Sequence, residues 1–232
     1  MTQLYLLPAE EARALPAAFC ARWFPARVFR AGKMPPDTAA LCLAAGALIA
    51  GVLHLHEDAL RAGQYGKPCA PGVFFSLSHS GGYALLAAAE SDVGADLERV
   101  RPAPERVAAR VFTPDEQRWL ADSTDYDTRF FTLWTLKEAL LKTCGRGLTL
   151  PLQSLDVLPL LRGQSVQTPD GAFFGSTQQF DGYCLAVCTR TPGTPTAPQP
   201  QSRRLRAHAG RRPPRSRRGG ALSQQGGGAP AA

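Results

Sequence analysis

The stretch VFFSLSHSGGYALLAAAE, residues 73–90, contains two apolar runs that are joined by the polar, Gly-rich segment SHSGG. This pattern predicts two antiparallel strands with a turn between them. The segment VGADLERV, residues 93–100, follows almost at once and predicts a further strand. Because hairpins of this kind occur here among helical segments, the sequence predicts an α+β fold rather than a doubly wound parallel sheet.

Further strands and helices are predicted on both sides of this stretch. The other strands are short apolar runs at Leu4–Leu7, Leu155–Leu158 and Tyr183–Cys188. The helices are expected at residues 8–24, Ala39–Leu53, 104–122 in one or two pieces, and Thr128–Gly145. The apolar helix at Ala39–Leu53 is expected to be buried, and Asp37 is its expected N-cap. Thr113, followed by Pro114, is typical of a helix start, with Thr as N-cap and Pro at the first helical position.

The positive charge of the chain is concentrated at its C-terminal end. Of 232 residues, 26 are Lys or Arg and 19 are Asp or Glu, and residues 192–232 contain eight of the Arg and none of the acids. The body, residues 1–191, is therefore close to neutral, with 18 basic and 19 acidic residues. Residues 192–232 have few large apolar side chains with which to offset the entropy of ordering, so the sequence predicts a disordered basic tail.

Several features predict a cytoplasmic protein without a membrane segment. The six Cys form no CxxC pair and no spacing typical of a metal site, which indicates a reducing compartment. The N-terminus has acidic residues early and no basic region of the kind that begins a signal peptide. The longest apolar run, Ala39–Leu53, is shorter than the roughly 20 residues that span a bilayer.

Three acidic residues are candidates for a metal site. Asp96 and Glu98 are two residues apart in a predicted strand, so both side chains project from the same face. They could also be the polar face of an edge strand. Glu138, on a predicted helix, is the candidate third carboxylate, although Glu138 and Lys142 alone could be an ordinary i,i+4 ion pair. Three clustered carboxylates favour a hard cation such as Mg²⁺, which prefers oxygen ligands.

Residues that suit phosphate occur nearby in the sequence. Ser78 and His79 lie in the Gly-rich segment, where hydroxyl, imidazole and backbone N–H groups can bind a phosphate oxygen. Lys137 and Lys142 flank Glu138 on the helix. The alternative interpretation is a turn rich in small polar residues.

Five motifs occur in the order and rough spacing found in the 4′-phosphopantetheinyl transferases, and the chain resembles this family. They are GKP (66–68), FSLSHSGG (75–82), VGADLERV (93–100), RVFTPDE (110–116) and WTLKEALLK (134–142). The chain length and the W-x-x-K-E-A form resemble the Sfp-type enzymes. The resemblance implies a monomer built as a pseudo-dimer of two similar α+β halves, here 1–88 and 89–191, with the tail at 192–232.

The resemblance also implies a reaction. Family enzymes transfer phosphopantetheine from coenzyme A to a serine of an apo acyl or peptidyl carrier protein and release 3′,5′-ADP. Asp96, Glu98 and Glu138 would hold Mg²⁺ against the pyrophosphate, and Glu138, either directly or through a metal-bound water, would also be the base for the carrier serine. The residues expected at coenzyme A are Lys137 and Lys142 at the pyrophosphate, Ser78 and His79 at the nucleotide phosphates, and Lys67 and Pro68 in the nucleotide pocket; Glu138, Lys142 and His79 would be the catalytic residues.

One position departs from the family pattern. The family usually carries an arginine early in the buried helix, where it helps to bind the 3′-phosphate, whereas this chain has Thr38, Ala39 and Ala40. Either Arg27 and Arg30 take over the 3′-phosphate, or coenzyme A binds weakly.

Two other functions compete with the transferase. Another Mg²⁺-dependent nucleotide phosphotransferase would use the same acids, but the sequence has no Walker-type or kinase motif. Nucleic-acid binding through the Arg-rich tail is disfavoured by the neutral body and by the absence of aromatic residues from residues 192–232.

Overall fold

The structure is a computed structural model that describes residues 1–63, 65–145 and 151–201. Its strands are β1 (Gln3–Pro8), β2 (Arg61–Ala62), β3 (Pro68–Cys69), β4 (Phe74–Ser80), β5 (Tyr83–Ala89), β6 (Val93–Arg99), β7 (Val166–Thr168), β8 (Gly171–Phe180), β9 (Tyr183–Thr189) and β10 (Gln199–Pro200). Its α-helices are α1 (Ala9–Arg13), α2 (Ala17–Trp23), α3 (Pro25–Ala31), α4 (Pro36–Leu48), α5 (Glu105–Val111), α6 (Pro114–Ala121), α7 (Tyr126–Cys144) and α8 (Leu158–Leu161). This mixture of helices and largely antiparallel strands confirms the predicted α+β class.

The N-terminal half is a small antiparallel sheet that is covered by α4. Strand β5 lies between β1 and β4, and α4 packs across all three strands. The helix begins at Pro36 rather than after Asp37, which lies in its first turn. By length and composition alone the segment Pro36–Leu53 could cross a membrane, but 56% of it is buried inside the protein. It is the core helix that the sequence predicts, with Ala44 and Leu48 fully buried.

The C-terminal half repeats this arrangement. Strand β6 is followed by the long helix α7 and then by the β8–β9 hairpin, and β9 lies between β6 and β8. Helix α7 packs on β6, β8 and β9. Each half is thus one strand, one long helix and one hairpin whose second strand pairs with the first strand. This repeat confirms the expectation of two similar halves.

The two sheets pack face to face around a shared apolar layer. Leu4, Leu6 and Leu85 from the first sheet meet Leu97 and Leu185 from the second, and all five are buried. The edge strands β4 and β6 run close to each other at the side of this layer. The site described below lies along these two edges.

Two local predictions differ from the structure. The expected helix over residues 8–24 is divided into α1 and α2, with Pro16 immediately before α2. The strand expected at Leu155–Leu158 is wrong, because Pro159 lies in the first turn of the short helix α8 there. By contrast, the predicted N-cap Thr113 forms a complete capping box with Glu116.

The C-terminal segment is ordered further than the sequence predicts. Gln199 and Pro200 form β10, which pairs in parallel with β1. The Gln201 N–H donates to the Leu6 carbonyl at 3.1 Å, and Gln201 is only 2% exposed. Disorder from Pro192 onward is therefore the wrong prediction for residues 192–201, because backbone hydrogen bonds to β1 offset the entropy of ordering. The rest of the predicted tail, residues 202–232, lies outside the described residues.

Candidate functional site

The close approach of α7 to β6 creates the site. Gly94, Asp96 and Glu98 alternate along β6 and face α7. A Cβ atom at Gly94 would lie 1.9 Å from the Ala139 carbonyl oxygen, so only glycine lets the helix backbone rest on the strand. This contact brings the side of α7 that carries Glu138 toward the two acids of β6.

Asp96 is the most buried acid of the site, with 5% exposure. Its Oδ1 accepts hydrogen bonds from Lys142 Nζ and from Ser78 Oγ, both at 2.7 Å. Its Oδ2 is buried without a hydrogen-bond partner. Burial raises the pKa of this carboxyl group, and Lys142 and Ser78 oppose the shift.

Glu98 and Glu138 complete the acidic cluster. Glu98 Oε2 accepts hydrogen bonds from Ser80 Oγ at 2.7 Å and from Arg101 at 3.0 Å. Glu138 is half-buried, and burial raises its pKa, with further increases from the charges of Asp96 and Glu98. Asp96 and Glu98 are therefore close enough to Glu138 for their charges to raise its pKa.

The donor set fits a divalent cation, although it is not preassembled. Within the described ranges, no group of three or more His, Cys, Asp or Glu side chains stands ready to hold a metal ion. The buried Oδ2 of Asp96 nevertheless has no hydrogen-bond partner among the described residues, which a bound cation would explain, and an all-carboxylate set suits a hard cation such as Mg²⁺. Asp96, Glu98 and Glu138 are the residues that could hold it.

A cavity of about 300 Å³ opens beside these acids and brings together four of the predicted residues, Lys67, Pro68, Glu138 and Lys142. Lys67 Nζ donates to the carbonyl oxygens of Val93 and Lys142, both at 2.8 Å. These two bonds tie the loop before β3 to the start of β6 and to the last turn of α7. Burial lowers the pKa of the Lys67 ammonium.

A second cavity, of about 510 Å³, is lined by three arginines of the N-terminal half. It is lined by Arg27 and Arg30, as the resemblance implies, and also by Arg61, which sequence reasoning missed. The two cavities share Gly66 and Pro68 as lining residues. A ligand that passes over this loop could therefore reach both the acids and the arginines.

Lys137 does not belong to the site, and its predicted phosphate contact is wrong. Its side chain is buried, and Nζ donates to the carbonyl oxygens of Leu152 and Leu155, both at 2.7 Å, and pairs with Glu116 at 2.6 Å. All three N–H groups of the ammonium are thereby used inside the protein. Residues that are adjacent on a helix point about 100° apart, so Lys137 and Glu138 face different surroundings.

Ser78 and His79 of the Gly-rich segment project from opposite faces of β4. Ser78 is buried and donates to Asp96, so its expected contact with a nucleotide phosphate is wrong. His79 points to the opposite face of β4, the face that α4 covers, and it is exposed. A phosphate contact of His79 stays a prediction.

Sequence reasoning also missed the partners of several predicted site residues. Ser80 and Arg101 bind Glu98, and Glu116 binds Lys137. The serine partners had a usable signal, because Ser78 and Ser80 have the same two-residue spacing as Asp96 and Glu98. Glu116 had none, because its ion-pair partner is 21 residues away in the chain.

Comparisons with known proteins point to one superfamily. The family model of the 4′-phosphopantetheinyl transferase superfamily matches residues 92–188. The 4′-phosphopantetheinyl transferase Sfp of Bacillus subtilis is 36% identical over 144 residues, which are 57% of this chain. The alignment spans 63% of that relative's length. The 4′-phosphopantetheinyl transferase AcpT of Salmonella typhimurium is 36% identical over 143 residues, 58% of this chain and 68% of that protein.

Among solved structures, the holo-[acyl-carrier-protein] synthase of Thermotoga maritima aligns with a TM-score of 0.37 and 23% identity. That alignment covers 42% of this chain and 61% of the other.

Proposed function

Because the chain belongs to the 4′-phosphopantetheinyl transferase superfamily, we propose that it transfers 4′-phosphopantetheine from coenzyme A to a serine of an apo acyl or peptidyl carrier protein. The serine oxygen bonds to the phosphorus that bears the pantetheine. The bond from that phosphorus to the bridging oxygen breaks, and 3′,5′-ADP leaves with the electron pair. The observation that carries the proposal is the meeting of Lys67, Glu138 and Lys142 in one cavity beside Asp96.

A divalent cation, which we propose to be Mg²⁺, would neutralise charge on the pyrophosphate when bound. Asp96, Glu98 and Glu138 would hold it. The support is the coupled acidic cluster and the unpartnered Oδ2 of Asp96.

Lys142 and Lys67 bind and orient the pyrophosphate. Both line the cavity, and Lys67 uses two of its three N–H groups on carbonyl oxygens, which leaves one for a phosphate oxygen. Lys142 also holds Asp96 in place. Positive charge at these two atoms stabilises the developing charge on the departing 3′,5′-ADP, as phosphoryl transfer requires.

Glu138 accepts the proton of the carrier serine. A general base must lie within reach of the proton that it abstracts, and Glu138 lines the cavity beside Lys142. Its position on the cavity wall lets a serine hydroxyl approach from solvent.

Arg27, Arg30 and Arg61 bind the 3′-phosphate of coenzyme A in the second cavity. They replace the helix arginine that is absent at residues 38–40. The nucleotide lies over Gly66 and Pro68, which line both cavities. His79 is retained in this proposal as an additional phosphate contact.

The proposed setting is a cytoplasmic monomer that acts on coenzyme A and a carrier protein. The competing hypothesis of nucleic-acid binding relied on the Arg-rich tail, all eight arginines of which lie beyond residue 201, outside the described residues.

The proposal is tested by incubating the full chain with coenzyme A, Mg²⁺ and an apo acyl or peptidyl carrier protein, and measuring the intact mass of the carrier. We expect the mass to rise by one phosphopantetheine. The matched controls are a carrier whose acceptor serine is replaced by alanine and a reaction that contains EDTA, and neither should change mass. An unchanged mass for both carrier types would contradict the proposal.

A further inference from the structure

Three serine hydroxyls join the two halves of the protein. Ser76, Ser78 and Ser80 alternate along β4 and point toward β6. Their Oγ atoms accept hydrogen bonds from three backbone N–H groups of β6, those of Ala95 at 3.0 Å, Leu97 at 3.2 Å and Arg99 at 3.1 Å. Side-chain hydroxyls thus take the place of the backbone ladder that normally pairs two strands.

The three serines differ in what their own O–H groups bind. Ser78 donates to Asp96 Oδ1 and Ser80 donates to Glu98 Oε2, both at 2.7 Å. Ser76 reaches only the carbonyl oxygen of Ala95, at 3.5 Å. Hydroxyl bonds of about 2.7 Å to an ionised carboxylate are stronger than neutral ones. Two of the three serines therefore fix a carboxylate, and the third does not.

These bonds decide which oxygen of Asp96 remains available. Ser78 and Lys142 both bind Oδ1, so the carboxylate cannot rotate without losing two hydrogen bonds. Its Oδ2 stays buried and unpartnered as a result. At Glu98, Ser80 and Arg101 share Oε2 in the same way.

We propose that Ser78 and Ser80 are positioning residues that hold Asp96 and Glu98 in the orientation in which they bind a divalent cation. This rests on the proposed function, because it assumes that these acids are the metal ligands. The two serines act on the cation through the carboxylates that they bind. Groups that orient metal ligands commonly change metal affinity by about 10- to 100-fold when they are removed.

The chain supplies a matched control in Ser76. Ser76→Ala, Ser78→Ala and Ser80→Ala each remove one hydroxyl from the contact between β4 and β6. Only Ser78→Ala and Ser80→Ala also remove a hydrogen bond to a carboxylate. Mn²⁺ is the probe: its binding to the purified full chain, with coenzyme A present and no carrier, is followed by the electron paramagnetic resonance of unbound Mn²⁺. We expect Ser78→Ala and Ser80→Ala to raise the Kd for Mn²⁺ by about 10-fold or more, and Ser76→Ala to leave it unchanged.

Thermal unfolding separates positioning from simple loss of structure. All three variants should lower Tm, because each loses a bond between β4 and β6, and the loss should be larger in Ser78→Ala and Ser80→Ala, which also lose a bond to a carboxylate. Ser78→Thr keeps the hydroxyl and should restore Mn²⁺ affinity. Equal Kd values in the Ser76 and Ser78 variants, or an Mn²⁺ affinity of Ser80→Ala like that of the wild type, would overturn the proposal.

The Mn²⁺ measurements and the transfer assay test the two proposals separately. A wild-type chain that modifies the carrier, with serine variants that bind Mn²⁺ normally, would refute the positioning role and leave the transferase intact. A wild-type chain that does not modify the carrier, with weakened Mn²⁺ binding in Ser78→Ala and Ser80→Ala alone, would refute the transferase and support the positioning role.

Discussion

The two halves of the molecule share one architecture, but only the C-terminal half carries the acids. The strand pairings align β1 with β6: Tyr5 pairs with Leu86 as Asp96 pairs with Ala186, and Leu7 pairs with Ala84 as Glu98 pairs with Cys184. At the two positions where β6 presents carboxylates, β1 presents Tyr5 and Leu7, which are buried. The same strand position thus serves packing in one half and chemistry in the other.

The helices explain how this difference is accommodated. The position of Gly94 corresponds to that of Gln3 in β1, because they pair with Cys188 and Ala88 respectively. Only β6 therefore lacks a side chain where its helix crosses. Helix α4 is composed largely of alanine and leucine, whereas α7 carries Glu138 and Lys142. The scaffold is repeated, and the chemistry depends on a few side chains added to one copy.

The outer edge of the first strand is occupied in both halves, but by different segments. At β6 it meets the serines of β4. At β1 it meets the C-terminal segment, where Thr196 Oγ1 accepts from the Leu4 N–H at 3.3 Å, just as Ser76 Oγ accepts from the Ala95 N–H at 3.0 Å. Leu4 and Ala95 are equivalent positions, because they pair with Ala87 and Val187. The C-terminal segment thus takes the place at β1 that β4 takes at β6.

The largest expected effect separates strand β6 from its counterpart β1 in the other half. Asp96→Asn should lower kcat for carrier modification by about 10³-fold or more, because several kcal/mol of charge stabilisation would be lost. Leu7→Ala should instead lower the free energy of unfolding by about 2–5 kcal/mol, with kcat per folded molecule retained. The rate of carrier modification gives kcat, and urea unfolding gives the free energy of unfolding. A folded Asp96→Asn protein with wild-type turnover would show that the acids of β6 are not the site.

The next contrast lies within α7. Lys137→Met leaves Glu116 as a buried, unpaired charge and should cost about 3–5 kcal/mol of stability, while the folded fraction stays active. Lys142→Met should reduce kcat strongly even in the folded fraction, and it should also lower stability because it leaves Asp96 as a buried, unpaired charge. The double change Lys137→Met with Glu116→Gln should recover part of the stability. Loss of turnover in a fully folded Lys137→Met protein would show that Lys137 acts in the transfer reaction.

A smaller effect is expected at the arginines of the N-terminal half. Arg27→Ala or Arg30→Ala should raise the KM for coenzyme A by about 10-fold, the equivalent of roughly 1.4 kcal/mol, through the lost charge-assisted contact. Dephospho-coenzyme A lacks the 3′-phosphate and serves as the matched control substrate, whose KM should hardly change. An equal rise for both substrates would show that these arginines do not bind the 3′-phosphate.

The smallest effects concern the C-terminal segment. A chain that ends at residue 201 should keep the stability and kcat of the full chain. A chain that ends at residue 191 loses the hydrogen bonds of Thr196 and Gln201 to the backbone of β1, each worth about 1 kcal/mol, so its Tm should fall while its kcat is kept. Identical Tm values for the two truncations would show that the segment does not stabilise β1.

Local sequence patterns predicted the parts of the fold and site that depend on few residues. The period of two in Asp96 and Glu98 gave their shared face, and the Thr113 capping box needs only four neighbouring residues. The direction of Lys137 was missed because its acceptors come from a distant loop and from Glu116. Strand β8 was missed because its segment GSTQQ, residues 175–179, is polar and half-buried, and β10 was missed because its two residues are ordered only by β1.

The central claim is that two similar halves contain one cation site, built by β6 and α7. The most direct test is the number of Mn²⁺ ions that the full chain binds in the presence of coenzyme A, counted by electron paramagnetic resonance titration. We predict one ion per chain, lost in Asp96→Asn and retained in Tyr5→Phe at the equivalent position of β1. Tight binding of one ion by the Asp96→Asn variant, or of a second ion that Tyr5→Phe removes, would contradict the account.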